Sequence, residues 1–257
     1  MPPIHRLSED SRRHNDKDPN LARAPDGTLW VTWQSYRMKE DRILARSIRN
    51  GRRGPIIEVS DRPGINFQPR IACDADSRVW VFWSAERGDR WYILARRVEG
   101  TRCGPVVTVS RGSDLALSPA ISADGTGVIR VAWSSLEAGE RRILGRRLEA
   151  GAWSDIQVLS RGAGEHLRPT LCAREAGAWL AYESRSGSRY RVRLCAWTDR
   201  GAGRAVDLNL TQSWEMFPRL CPDGADGVWA TWIATHDVGN VKGFIDHKVE
   251  ALAAHYN

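Results

Sequence analysis

Five side chains stand three residues ahead of five evenly spaced prolines. They are Asp16, Asn66, Ala116, His166 and Glu215, ahead of Pro19, Pro69, Pro119, Pro169 and Pro218. Two carboxylates and an imidazole in one column can do general acid–base work. If Asp16 and Glu215 approach each other, one carboxyl holds its proton while the other stays ionised, which divides acid from base. His166 can orient a water or hold an ion between them. Asn66 can hydrogen-bond a polar ligand, and Trp214, next to Glu215, offers a flat wall for a sugar ring. The expected catalytic set is therefore Asp16, Glu215 and His166.

A second group follows an aromatic residue that recurs in each segment. One past it stand Gln34, Ser84, Ser134, Glu183 and Ile233, and four past it Arg37, Arg87, Glu137, Ser186 and His236. Planar guanidinium groups at Arg37 and Arg87 suit anion capture. The loop expected from Ala234 to Gly243 is about three residues longer than its counterparts and carries His236. Expected ligand contacts are Asn66, Trp214, Arg87, Glu183, His236 and Arg37. The competing reading stays open at each: a solvated rim, arginines paired with Glu86 and Asp41, and Trp214 packed on a neighbouring strand edge. No HxH, HExxH, nucleophile elbow, P-loop or dinucleotide fingerprint occurs, so no cofactor is expected. A divalent cation is possible only where His14, His166 or His236 converge with carboxylates in the fold.

These columns exist because the chain repeats. DGTLWVTWQS (26–35) returns as DADSRVWVFWS, DGTGVIRVAWS, REAGAWLAYES and DGADGVWATWI. The second aromatic falls at Trp33, Trp83, Trp133, Tyr182 and Trp232, at intervals of 50, 50, 49 and 50 residues. Apolar and polar residues alternate with period two, as strands require. A period near 50 made of strands is the mark of a β-propeller. Each repeat divides into four strands. The first opens at its proline, the second carries the tryptophans, the third reads Ile43–Arg46 or its counterparts, and the fourth ends in Val59-Ser60, Val109-Ser110, Leu159-Ser160 or Leu210-Thr211. The fifth repeat runs out before a fourth strand. Ile4–Ser8 resembles the missing piece and is expected to pair near Val249, closing the ring and removing an open sheet edge.

The expected fold is an all-β, five-bladed propeller of four-stranded antiparallel blades in one domain, 1–257. The blades lie near 17–60, 67–110, 117–160, 167–211 and 216–257, the last completed by 2–8.

The elements Pro-x-Ile-Ala, Asp-Gly and Trp-Val-x-Trp resemble the bacterial sialidase-like (BNR-type) propeller repeats along essentially the whole chain. They depart from the usual Asp-box, Ser-x-Asp-x-Gly-x-Thr-Trp, because here the Asp-Gly turn joins first and second strands. No sialidase arginine triad stands out, and Arg70 and Arg219 match its Arg-Ile-Pro element only loosely. Two other five-bladed groups compare. Tachylectin-type lectins bind one sugar per blade, whereas arabinanase-type glycosidases place a carboxylate in each of three successive blades. Here those three positions are Asp16, Asn66 and Ala116, of which one is acidic. The resemblance implies the fold and leaves function to the site.

Net charge is +7, from arginines spread over all repeats, which reads as a solvated surface and not a nucleic-acid patch. No run is long enough for a membrane span. Five cysteines without a CxxC pair are expected to be reduced thiols. MPPIHRLSEDSRRHNDKD lacks an apolar signal region, so a cytoplasmic monomer is expected. Divergence of the columns between repeats favours one asymmetric central pocket for a carbohydrate or other small polar ligand. Enzyme and receptor remain open: a glycan-acting hydrolase or lyase, a non-catalytic lectin, or a protein-interaction scaffold.

Overall fold

The computed structural model describes residues 6–8, 14–111, 115–208, 214–241 and 244–256, without the side chains of 137 and 236–248. Among these residues the chain is all β. It forms five separate antiparallel sheets, one per repeat. By packing it divides into two compact units, 1–119 with 125–127, and 120–124 with 128–257. The division runs through the strand Leu115–Ala123.

In every sheet the first three strands follow chain order, and in the first, third and fourth sheets a short last strand pairs back with the third. The second sheet runs Asn66–Cys73, Val79–Arg87, Arg90–Glu99 and Arg102–Thr108. Its middle strands are buried on both faces, so Trp83, Phe82, Val81 and Ile93 are all fully inside. That double burial is why Val-Trp-Val-Phe-Trp reads as a continuous apolar run and not a clean alternation. Each such side chain contributes roughly 1.5–3 kcal/mol when removed from water. The first unit's core joins Trp83, Val81 and Leu94 to Ile43, Ala45 and Val59. The second unit's core gathers Leu159, Leu180, Tyr182, Cys195 and Trp197.

The repeat prolines do not open their strands as expected. The first strands begin three or four residues earlier, at Asn15, Asn66, Leu115, Glu165 and Trp214. Pairing shifts register around the proline, between Lys17 and Asn20, Phe67 and Arg70, Leu167 and Thr170, and Met216 and Arg219. A bulge leaves one residue unpaired, which is where a residue without N–H fits inside a strand. The residue before each proline takes a left-handed conformation: Asp18 (φ 51°), Gln68 (54°), Ser118 (57°), Arg168 (44°) and Phe217 (59°). That costs on the order of 1–3 kcal/mol at a non-glycine residue and persists only where neighbours hold it. Side chains do so here. Gln68 Oε1 accepts the Ser118 N–H at 2.9 Å, and Glu183 Oε1 accepts the Phe217 N–H at 2.9 Å.

The loops expected after the second strands are instead tight hairpins. Leu29–Arg37 and Glu40–Arg49 join through Met38 (φ 50°) and Lys39 (φ 70°). Two positive φ values match the right-handed twist of the paired strands. The expected loop is likewise strand from Ala234 to Val241: Val228–Val241 pairs with Phe244–Tyr256, and residues 242 and 243 lie outside the described residues.

The fourth-strand serines have a structural task. Ser60, Ser110 and Ser160 each accept the N–H of the third-strand residue Ile43, Ile93 or Ile143, at 3.1, 2.9 and 2.9 Å. Leu7 occupies the place of such an ending. Arg96 donates Nε to Gly104 O (2.6 Å) and Nη1 to Val59 O (3.0 Å). Arg46 does the same with Gly54 O (2.6 Å) and Leu7 O (2.9 Å). Ile4 and His5, the start of the expected closing strand, lie outside the described residues. Among the described residues the fifth sheet has three strands.

Candidate functional site

The column three before the proline lies on the first strands, and most of it is buried. Asn66, His166 and Glu215 are 0% exposed, while Asp16 is exposed. The reason is the aromatic across the sheet. Trp83 Nε1 donates to Asn66 Oδ1 at 3.1 Å, and Trp232 Nε1 donates to Glu215 Oε2 at 2.8 Å. Both indoles are inside the core, where an unpaired N–H costs about 1–3 kcal/mol. His166 packs edge-on against Tyr182, with ring centroids 5.3 Å apart. Trp33 Nε1 is buried with no partner among the described residues. Asp16 instead lines a small cavity of about 260 Å³ with Leu7, Lys17 and Trp33.

In the first unit Asn66 also accepts from Arg87 Nη2 at 3.0 Å, and the same nitrogen donates to Asp61 at 2.9 Å. Arg87 is thus tied down by Asn66 and Asp61, not by the expected Glu86 carboxylate. Arg37 Nε donates to Ser35 Oγ at 2.8 Å.

In the second unit His166 is held from one side. Its Nδ1 lies 2.7 Å from Ser160 Oγ, while its Nε2 is buried without a partner among the described residues. Burial, reinforced by the charges of Arg142 and Arg193, pushes its pKa down to about 4, so the ring is neutral near pH 7. The side chain of His236 lies outside the described residues. Among the described residues no group of three or more His, Cys, Asp and Glu side chains comes together as a metal site.

Glu183 and Phe217, the residue before the fifth proline, do converge. The Glu183 carboxylate is 0% exposed and accepts from Arg168 Nη1 at 2.7 Å as well as from the Phe217 N–H. Arg168 lies over the Phe217 ring at 4.8 Å. Phe217 is 41% exposed and Trp214 40%. Trp214 meets Tyr190 edge-on at 6.3 Å, so it both packs on the fourth sheet and stays open to solvent. Arg185 stands over Tyr190 at 5.6 Å and pairs with Glu165 at 3.0 Å. The result is two ring-and-guanidinium groups: Phe217 with Arg168, tied to the buried Glu183, and Trp214 with Tyr190 and Arg185.

Known proteins share this fold. No family model matches the chain, and no curated protein sequence matches it. Among solved structures, a protein of unknown function from Dyadobacter fermentans superposes with a TM-score of 0.66 at 8% identity, covering 96% of this chain and 83% of that one. An α-L-arabinanase from Penicillium chrysogenum complexed with arabinobiose gives 0.62 at 13%, covering 84% and 76%. The polysaccharide lyase Uly1 gives 0.55 at 9%, covering 93% of this chain and 57% of that one. At such identities the likeness shows the fold, a propeller-like set of antiparallel sheets, and not the activity.

Glu183 and Trp214 are among the residues expected from the sequence, whereas Arg168, Phe217, Tyr190 and Arg185, which stand against them, are not. The signal for two of them was in the column directly before the proline: Asp18, Gln68, Ser118, Arg168, Phe217. It diverges as strongly as the column two residues upstream, and its positive φ turns the side chains away from ordinary strand alternation.

Proposed function

We propose that this chain binds glycans at the aromatic and arginine-bearing face of its second unit. The observation that carries the reading is the pair of open rings, Trp214 and Phe217, on one strand beside Arg168 and the buried Glu183. Sugar rings present C–H faces that stack on aromatics, and their hydroxyls take hydrogen bonds from guanidinium groups. Support by analogy comes from the arabinanase and the polysaccharide lyase, saccharide-acting proteins with a similar fold. Calorimetric titration with a glycan panel tests it. One site per chain is expected, with Trp214→Ala and Phe217→Ala each weakening affinity roughly thirtyfold. A stoichiometry near five would favour one site per repeat, as in the tachylectin-type lectins. Binding unaffected by both changes would defeat the reading.

A second reading adds turnover. It rests on the neutral His166, whose buried Nε2 has no partner among the described residues and could orient a water, and it gives Asp16 and Glu215 the acid and base roles of a glycan hydrolase or lyase. Asp16→Asn and Glu215→Gln should then each abolish release of product from a glycan that the wild type cleaves. We also propose that the five sheets are blades of one closed propeller, a reading supported by the 50-residue repeat and by the coverage of the superpositions. Removing residues 1–8 should then lower the melting temperature sharply.

A further inference from the structure

The fourth sheet breaks the repeat at a place that no strand requires. Backbone bonds align the repeats without ambiguity: Val59, Val109, Leu159 and Leu208 each donate N–H to the carbonyl of Ile43, Ile93, Ile143 or Val192. Cross-strand partners align the rest, as Trp33 with Leu44, Trp83 with Leu94, Trp133 with Leu144, and Tyr182 with Arg193. In the first sheet Trp33, Leu44 and Ile56 form an apolar cluster with Leu7. The corresponding residues around the fourth sheet are Tyr182, Arg193, Ala205 and Leu159. Leucine has become arginine, tryptophan tyrosine, and the Ile56, Val106, Ile156 series ends in alanine. The residue before it changes from Pro55, Pro105 and Asp155 to Arg204.

These four changes coincide with a cleft of about 920 Å³, lined by Tyr182, Arg193, Arg204, Ala205, Asp207 and Arg161 among others. An arginine in a core position is costly unless paired. Arg193 is partly paired: Nε donates to Asp207 Oδ1 at 2.9 Å, and Nη1 to Arg161 O at 3.3 Å. Asp207 is shared, because Arg191 also donates to it at 3.3 Å. Arg161 and Arg204 are exposed and form no ion pair among the described residues. Three guanidinium groups and one carboxylate thus line a cleft whose other walls are Tyr182, Leu159, Val206 and small residues.

We propose that this cleft is a binding site for a small ligand carrying two or more anionic groups, held by Arg161, Arg193 and Arg204. Guanidinium forks match carboxylate, sulfate and phosphate oxygens in bidentate fashion. The space exceeds a single oxyanion, and the excess of positive charge asks for more than one negative group. The site is separate from the Trp214 face and does not depend on the glycan reading.

Calorimetric titrations with pyrophosphate, a sulfated disaccharide and a diuronate disaccharide test it, and the arms tell a phosphate source from a saccharide one. At least one should bind once per chain, more weakly as salt rises. The double change Arg161→Ala, Arg204→Ala lies on the surface, so melting should hold while affinity falls about a hundredfold, tenfold per guanidinium. Arg193→Leu restores the residue of the other sheets and should also abolish binding. Trp214→Ala should leave anion binding intact, which separates a failure here from a failure of the glycan site. Absence of binding by all three probes at millimolar concentration, or equal binding by the folded double variant, would overturn the proposal.

Discussion

The second and fourth sheets carry equivalent strands in equivalent register and differ at their centre. In the second, Trp83 is fully buried, its indole N–H is fixed by Asn66, and Leu94 packs opposite it. In the fourth, the same three places hold Tyr182, His166 and Arg193. One centre is apolar with a single satisfied polar group. The other has an imidazole, a phenol and a guanidinium beside a cleft. Because the strands pair alike in both, the scaffold does not need the polar set. Repetition supplies the frame, and departure from repetition is where the molecule spends its chemistry.

Core truncation should separate the two centres most strongly. Trp83→Ala removes a fully enclosed ring and should cost about 3–5 kcal/mol in urea unfolding. Tyr182→Ala opens onto an existing cleft that water can fill, so its cost should be at most about half of that. Equal losses would mean that the fourth centre is as tightly packed as the second.

Acid should act on the fourth centre alone. His166 has a folded pKa of about 4 against 6.5 for the free side chain, with Arg142, Arg193, Ser160 and Tyr182 around it. Between those values the unfolded chain binds the proton and the folded one refuses it. Stability from this group is therefore complete above about pH 6.5, falls as pH drops to about 4, and is level below. The fall is on the order of 3 kcal/mol at most. His166→Gln should flatten that part of the stability–pH curve, and an unchanged slope would place the titration elsewhere.

Glu215 gives a smaller effect of the second-sheet kind. Glu215→Ala leaves the Trp232 N–H unpaired inside the core, at a cost of about 1–3 kcal/mol. Glu215→Gln keeps an acceptor and should recover most of it. Recovery without loss of any glycan turnover would assign Glu215 to the frame.

How far the sequence carried follows from the same contrast. The tryptophan period and the first three Val-Ser or Leu-Ser endings were legible because they are recurring backbone and core requirements, whereas in the fourth repeat Leu208 makes the bond expected near Leu210-Thr211, which lies outside the described residues. The depth of Asn66, His166 and Glu215 was not legible. Their polar side chains and mutual divergence read as a solvated rim, whereas each faces an aromatic that differs in what it asks for. Asn66 and Glu215 answer an indole, and His166 answers a phenol ring. Arg168 and Phe217 were hidden for another reason: a bulge at the proline turns their backbone left-handed, and period-two alternation no longer says which way they face. Arg193 was hidden in plain sight: Val-Arg-Leu-Cys aligns residue for residue with Ile-Leu-Ala-Arg, but an arginine in an exposed-looking strand reads as a solvated residue and not as the replacement of a core leucine.

The smallest expected effect is the sharpest test of what the fourth centre is for. Ala205→Val puts back the branched residue that Val106 supplies in the second sheet. Two methyl groups added at the cleft wall bury apolar surface against Leu159 and Val206, which also line it. If the cleft were only a packing defect, filling it would stabilise the fold by roughly 1.5 kcal/mol, near the value of two buried methylenes, with no other consequence. If the space holds a ligand, the same change should leave stability within about 1 kcal/mol of wild type and still reduce anion affinity by crowding the guanidinium groups of Arg193 and Arg204. Paired melting and pyrophosphate titrations of this one variant separate the two outcomes, because a defect has nothing to lose when it is filled.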